Sequence, residues 1–93
     1  MEFEWEESKN AQNIAKHGVS FYEAQNAFLD AHRVIALDVK QSTQNEKRYF
    51  CYGNVLDRIL TVRFTVRASA IRIIGAGYWR EGKKRYEEEI RLY

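Results

Sequence analysis

The sequence predicts a single α+β domain in which a helical hairpin is followed by an antiparallel sheet of about four strands and then by a C-terminal helix. Three patterns lead to this fold class: apolar residues at helical spacing before residue 31, strict alternation from residue 60 to 67, and spacings of three and four from residue 79 onward. The chain has 93 residues with no repeat or linker, so we expect residues 1–93 to form one domain around one core.

The N-terminal third predicts two short helices joined by a tight turn. Apolar residues recur at helical spacing between residues 7 and 17, and Gly18 stands where a left-handed C-terminal cap is expected. Ser20 and Glu23 match a capping box, in which both side chains accept hydrogen bonds from free backbone amides at the start of the second helix. The apolar positions of the two helices are Ala11, Ile14, Ala15, Ala24, Ala27 and Phe28.

β-Branched and aromatic residues then predict strands at residues 33–38, 47–53 and 70–77, and a further edge strand at residues 2–5. The alternation is clearest in the strand between them, where the two faces carry Leu60, Val62, Phe64 and Val66 on one side and Thr61, Arg63, Thr65 and Arg67 on the other. In the next strand, Ile71 and Ile73 are expected to point inward and Arg72 outward. The last segment predicts a charged helix whose inner stripe is Trp79, Lys83, Tyr86, Ile90 and Tyr93.

Composition argues against several function classes. Two histidines and one cysteine, Cys51, lack the close spacing of a zinc site, and a lone cysteine forms no internal disulfide. The chain has no run of about 18 apolar residues, and its acidic N-terminus is unlike a signal peptide. We therefore expect a protein of the reducing cytoplasm with no metal, no cofactor and no membrane partner.

The distribution of charge indicates a basic surface. The net charge is +2, but arginines concentrate in the second half of the chain while acidic residues crowd the two ends. Such a surface is typical of an RNA or DNA partner. Arg63, Arg67 and Arg72 lie on neighbouring predicted strands and are expected to form one patch that binds phosphate. A solvated face held by local salt bridges explains the same pattern equally well.

Several other residues are candidates for the site. Tyr78 is expected to stack on an RNA base, whereas Trp79 is expected to pack in the core. His17 has the chemistry of an acid or base, although a capping role at the end of its helix is the favoured interpretation. The segment 75–77, Gly-Ala-Gly, is interpreted as a strand end because no Gly-Lys-Ser/Thr follows it. The last helix adds the cations Arg80, Lys83 and Lys84, which otherwise pair with nearby glutamates.

The sequence also resembles a known family. Its matching segments are Phe3-Glu4-Trp5-Glu6, Lys16-His17-Gly18-Val19-Ser20-Phe21, Glu46, Arg48, Phe64-Thr65-Val66-Arg67 and Ile71-Arg72-Ile73-Ile74. They are similar to the signature of the BrnT toxins, whose fold is related to that of RelE-type ribonucleases. The resemblance covers essentially the whole chain, with two departures: Glu6 replaces the usual Asp, and residues 75–79 replace a Ser-Ala-Arg motif. The second departure removes one arginine that would bind phosphate.

The resemblance implies a toxin of a type II toxin–antitoxin system. Such a toxin is a metal-independent endoribonuclease that cleaves mRNA and arrests growth. It is neutralised by an antitoxin of the ribbon-helix-helix type, in a heterotetramer with a DNA-binding antitoxin dimer.

Metal-free RNA cleavage needs a base, an acid and cations that stabilise the phosphorane. Arginine stays protonated and suits only the last role, so the base must be a histidine, a carboxylate such as Glu46, or a lysine whose pKa is lowered by its neighbours, and the sequence does not choose among them. We assign to catalysis Arg67, Arg72, Glu46 and His17, and to RNA binding Arg48, Arg63, Tyr78, Arg80, Lys83 and Lys84. The alternative hypotheses are a noncatalytic RNA-binding module and a module that only docks an antitoxin.

Overall fold

The computed structural model describes residues 1–91, which form a five-stranded mixed sheet with helices packed against it. In chain order the elements are β1 Glu2–Glu4, α1 Glu7–His17, α2 Phe21–Ala24, a 3-10 helix Gln25–Leu29, β2 Val34–Leu37, β3 Arg48–Val55, β4 Arg58–Arg67, β5 Ala70–Gly77 and α3 Arg80–Ile90. The predicted α+β class is confirmed. Within the described range, no helix is long and apolar enough to span a membrane.

The sheet has five strands in the order β1-β5-β4-β3-β2. The pairs β2–β3, β3–β4 and β4–β5 are antiparallel, as predicted, but β1 runs parallel to β5. The expected antiparallel sheet of about four strands therefore needs correction. The edge strand predicted at residues 2–5 forms, yet nothing in so short a segment reveals its partner or direction, which depend on a contact with residues almost 70 positions away.

The main core lies on one face of the sheet. There α2 and the 3-10 helix cover β3, β4 and β5, and Phe21, Leu60, Val62 and Ile73 are fully buried. The alternation predicted for β4 is confirmed along this face, except near the end of the strand, where Val66 is 53% exposed.

Helix α1 packs through a polar residue. Gly18 caps it in the left-handed conformation, as predicted, but Asn13 is its buried residue, and Ala11, Ile14 and Ala15 are exposed. The Asn13 amide donates to the Ala76 carbonyl (2.9 Å) and accepts from the Ala76 backbone N–H (3.2 Å). Because β1 has already ended at this point, the side chain pairs with the free edge of β5 as a neighbouring strand would.

The predicted capping box is half correct. The Ser20 hydroxyl accepts a hydrogen bond from the Glu23 backbone N–H (2.9 Å). The Glu23 carboxylate, however, accepts from the Tyr78 hydroxyl (2.6 Å) instead of turning back to the helix. This helix therefore begins where predicted, while its glutamate ties it to the segment that follows β5.

Helix α3 packs against the face of the sheet opposite the main core. It buries Gly82 and Tyr86, and a Cβ atom at Gly82 would lie 1.8 Å from the Thr61 hydroxyl oxygen of β4. The predicted inner stripe is only partly right. Tyr86 is buried, but Lys83 is exposed, Ile90 is 43% exposed, and Tyr93 lies outside the described residues.

Candidate active site and adjoining basic groove

The strand register brings the candidate arginines together. Thr65 of β4 pairs with Arg48 of β3 on one side and with Arg72 of β5 on the other. Residues directly opposite each other project from the same face, and Arg63 and Arg67 follow the same alternation along β4. Four arginines therefore surround Thr65 on the face opposite the main core. We call this surface the arginine face: Arg48, Arg63, Arg67 and Arg72.

Glu46 holds two members of the arginine face. One carboxylate oxygen lies 2.9 Å from Nε of Arg48 and the other 3.1 Å from an Nη atom of Arg67. The hydrogen bond from Arg48 and, to a smaller extent, the one from Arg67 lower the pKa of the Glu46 carboxyl. A lower pKa makes the carboxylate a weaker proton acceptor, and both oxygens are already engaged. The geometry suits Glu46 to holding guanidinium groups in place.

Arg72 is paired with carboxylates from the N-terminus. Its two Nη atoms lie 2.9 Å from a Glu4 oxygen and 3.3 Å from a Glu6 oxygen. Glu6, one of the departures from the family signature, thus retains a carboxylate that contacts this arginine. Local salt bridges, the alternative explanation raised from the sequence, apply to Arg48, Arg67 and Arg72.

Arg63 differs from the other three arginines. Within residues 1–91 it has no carboxylate at salt-bridge distance, and it is half-buried. Its Cδ and Nη1 atoms lie 3.8 and 3.9 Å from the position that a Cβ of Gly75 would occupy. The guanidinium therefore adjoins a stretch of backbone without a side chain, and its charge is not balanced by a neighbouring carboxylate.

His17 lies near the same part of β5. Its ring meets the indole of Trp79 edge to face, with centroids 5.2 Å apart. The indole in turn lies over Gly77, and one of its ring atoms is 2.3 Å from the position of a Cβ there. The indole thus fills the space that a side chain at position 77 would need. Asn13, one helical turn before His17, has its oxygen 3.9 Å from the Gly75 Cβ position.

The packing of the two adjacent aromatic residues differs from the expectation. Tyr78 packs against the main core, whereas Trp79 is half-buried outside it, so the prediction that Trp79 packs in the core is wrong. The guanidinium of Arg58 lies 3.8 Å from the centroid of the Tyr78 ring. Burial, followed by the hydrogen bond to Glu23, raises the pKa of Tyr78 to about 12. One ring face and the hydroxyl of Tyr78 are therefore already occupied.

Two of the three predicted RNA-binding cations of α3 lie together, and the third does not. Arg80 and Lys83 line a groove of about 970 Å³ between α3 and the turn that joins β3 to β4, whereas Lys84 is exposed and lines neither this groove nor the arginine face. We call it the hairpin groove; its cations and aromatic residues include Arg58, Tyr78, Trp79, Arg80 and Lys83. Arg58 was not predicted as a site residue, because it follows a turn and only the strand pairing shows its position.

Cys51 and the possible metal ligands form no further site among residues 1–91. Cys51 is fully buried, and burial raises its pKa to about 12, so it packs as a small apolar residue. Across residues 1–91, no three His, Cys, Asp or Glu side chains are grouped so that they could hold a metal ion.

Comparison with known families agrees with this architecture. Residues 5–82 match the model described as the ribonuclease toxin, BrnT, of type II toxin-antitoxin system. No curated protein matches the sequence. The family match extends from just before α1 into the first turn of α3, so it includes every member of the arginine face. The chain therefore belongs to the BrnT family of ribonuclease toxins from type II toxin–antitoxin systems.

Proposed function

We propose that this toxin is a metal-independent endoribonuclease that cleaves mRNA at the arginine face and thereby arrests growth. The observation that carries the proposal is the convergence of four arginines around Thr65, one of which, Arg63, has no carboxylate partner among residues 1–91. Guanidinium groups on an exposed sheet face can bind a phosphate and stabilise the charge that develops on it.

The proposed reaction is an in-line attack of a ribose 2′-oxygen on the adjacent phosphorus. The 2′-hydroxyl proton passes to a base, the P–O5′ bond breaks, and the leaving oxygen takes up a proton. The products are a 2′,3′-cyclic phosphate and a 5′-hydroxyl end. Negative charge accumulates on the phosphoryl oxygens between these steps, so fixed cations lower the barrier.

We assign the main phosphate contact to Arg63. Its guanidinium is free of ion pairs within the described chain and packs over the buried backbone of Gly75, on the sheet face that carries the other three arginines. Arg48 and Arg67 add charge at a position fixed by Glu46. Arg72 is balanced by two carboxylates, so we give it the smaller role of anchoring β1 to β5 beside the site.

We propose His17 as the general base. It is exposed, and it contacts Trp79, whose indole lies over Gly77, two residues along β5 from the Gly75 that Arg63 adjoins. An imidazole can accept or release a proton near neutral pH, which suits it to acid–base catalysis. Glu46 is a poorer candidate because its oxygens are bound to arginines and its pKa is lowered. We therefore propose Glu46 as a positioning residue.

Membership of a type II family implies an antitoxin partner. We propose that this antitoxin is a ribbon-helix-helix protein that forms a heterotetramer with two toxin chains and binds DNA. Coexpression with the neighbouring short open reading frame should restore growth, and the mass of the purified complex should correspond to two copies of each chain. A rescuing partner in a different ratio would contradict the heterotetramer.

Transcript-end mapping tests the proposed reaction. Induced expression in a bacterial host should produce discrete new 5′-hydroxyl ends in mRNA, and Arg63→Ala should abolish both these ends and the growth arrest. Lys9→Ala removes the same charge from an exposed position on α1 and serves as the control. Growth arrest without new transcript ends would instead support a noncatalytic RNA-binding toxin.

A further inference from the structure

We infer that the hairpin groove is a second RNA-binding subsite, which holds nucleotides that flank the scissile phosphate. The inference rests on the proposed function, because it assigns the groove to the same RNA strand that the arginine face cleaves. It adds to that function a separate surface with its own cations and its own aromatic residue.

The hairpin groove carries an excess of positive charge. Arg58, Arg80 and Lys83 line it, and within residues 1–91 none of the three has a carboxylate at salt-bridge distance. Two carboxylates, Asp57 and Glu87, also line the groove, but Arg91 adds a fourth cation, so positive charge prevails. Three of the four arginines on the arginine face, in contrast, already have acidic partners. The groove therefore offers cations that are available for phosphates.

Trp79 lies where two neighbouring grooves meet. Its indole lines the hairpin groove and also a neighbouring groove that contains Phe50 and Thr61 on the arginine side of the sheet. Phe50 pairs directly with Arg63 across β3 and β4. An RNA strand bound at Arg63 can therefore continue past the indole into the hairpin groove.

Trp79 also has the chemistry of a base-stacking residue. Aromatic rings beside cations bind single-stranded RNA because bases stack on the ring while the cations hold the backbone. Trp79 is half-buried and outside the main core, whereas the Tyr78 ring is covered by Arg58. We therefore transfer the stacking role from Tyr78 to Trp79.

The distance between the two surfaces sets the length of RNA required. Arg63 and Arg58 lie five positions apart on β4, which corresponds to about 17 Å along a strand. A dinucleotide bound at Arg63 cannot also reach the far end of the groove. Arg80→Ala and Lys83→Ala should thus impair binding of long RNA and leave dinucleotide cleavage unchanged.

Salt-dependent binding tests this inference. The probe is a fluorescein-labelled 12-nucleotide RNA of mixed sequence with 2′-O-methyl groups, which block the attacking oxygen. Fluorescence anisotropy at several salt concentrations should show that Arg80→Ala and Lys83→Ala each reduce the slope of log affinity against log salt by about 0.7. Lys84→Ala, the adjacent cation outside the groove, should leave the slope unchanged. Trp79→Leu should weaken binding roughly tenfold without changing the slope, and Trp79→Phe should restore most of the affinity.

Three results would overturn the inference. The first is a wild-type salt slope in both Arg80→Ala and Lys83→Ala. The second is an equal loss of slope in Lys84→Ala, which would indicate a diffuse effect of net charge. The third is intact RNA binding together with a weakened antitoxin complex, which would assign the groove to the protein partner. Failure of the proposed function is distinct: wild-type protein would then bind the probe but cleave neither a dinucleotide nor a long RNA.

Discussion

Two threonines on β4 provide a sharp test of the packing beneath the site. Thr61 and Thr65 are both 2% exposed and lie on the same face of the same strand. The Thr65 hydroxyl donates to the Lys47 carbonyl (2.7 Å), whereas the Thr61 hydroxyl oxygen, which lies beneath Gly82, is buried and has no hydrogen-bond partner among residues 1–91. Valine has nearly the same shape as threonine, so the two substitutions isolate the two hydroxyl groups.

The expected magnitudes have opposite signs. Thr65→Val removes a hydrogen bond with a net contribution of about 1 kcal/mol. Thr61→Val removes an unpaired hydroxyl whose burial costs about 1–3 kcal/mol, so it should stabilise the protein or leave its stability unchanged. A change of 1 kcal/mol shifts Tm by about 4–8 °C in a domain of this size. The Tm of Thr65→Val should therefore fall by that amount, and the Tm of Thr61→Val should equal or exceed that of the wild type.

Thermal unfolding followed by circular dichroism measures both variants. Because both changes keep a β-branched residue, strand propensity cancels in the comparison. An equal loss of Tm in the two variants would refute the reasoning, since it would mean that the Thr61 hydroxyl has a partner in the folded protein.

Three further substitutions test the helix packing, the turn and the hydrogen bonds that support the site. Gly82→Ala should lower stability by about 2 kcal/mol in urea unfolding, because its Cβ meets a threonine hydroxyl at 1.8 Å; a gain, as helix propensity alone predicts, would contradict this. Leu56 and Asp57 both have positive φ, so replacing them by Asn-Gly should raise stability by about 1 kcal/mol in the same assay, and no gain would show that the turn is unstrained. Burial raises the pKa of the Asp30 carboxyl, but hydrogen bonds, the strongest from Tyr86, lower it overall. The stability that this carboxylate contributes is therefore present above its ordinary pKa of 3.8 and is lost as the pH falls through the lower pKa of the folded state. Asp30→Asn should therefore reduce the change in the urea unfolding midpoint between pH 6 and pH 3. A pH dependence equal to that of the wild type would argue against this linkage.

The elements that the sequence predicts best are those with local signals. The alternation in β4, the cap at Gly18 and the Ser20 half of the capping box each depend on a few neighbouring residues, and each is found in the structure. The position of the arginines on one face also follows from local alternation, because β3, β4 and β5 are joined by tight turns that fix their register.

The features that the sequence does not predict are contacts between distant segments. The pairing of β1 with β5 and the partners Glu4 and Glu6 of Arg72 depend on contacts across more than 60 positions. The burial of Asn13 is also not predictable, because an asparagine between Gln12 and Ile14 does not indicate that its amide will pair with a strand edge. Trp79 belongs to the same class: its position over Gly77 is a consequence of where α3 begins.

Single-turnover cleavage of RNA by purified Arg63→Ala tests most directly whether the unpaired arginine stabilises the transition state. Removal of one fixed donor to a developing anion costs about 100- to 1,000-fold in rate, so the variant should cleave at least about 100-fold more slowly than the wild type. Its Tm should be unchanged, because the guanidinium makes no salt bridge within residues 1–91. Cleavage at the wild-type rate by the folded variant would contradict the account.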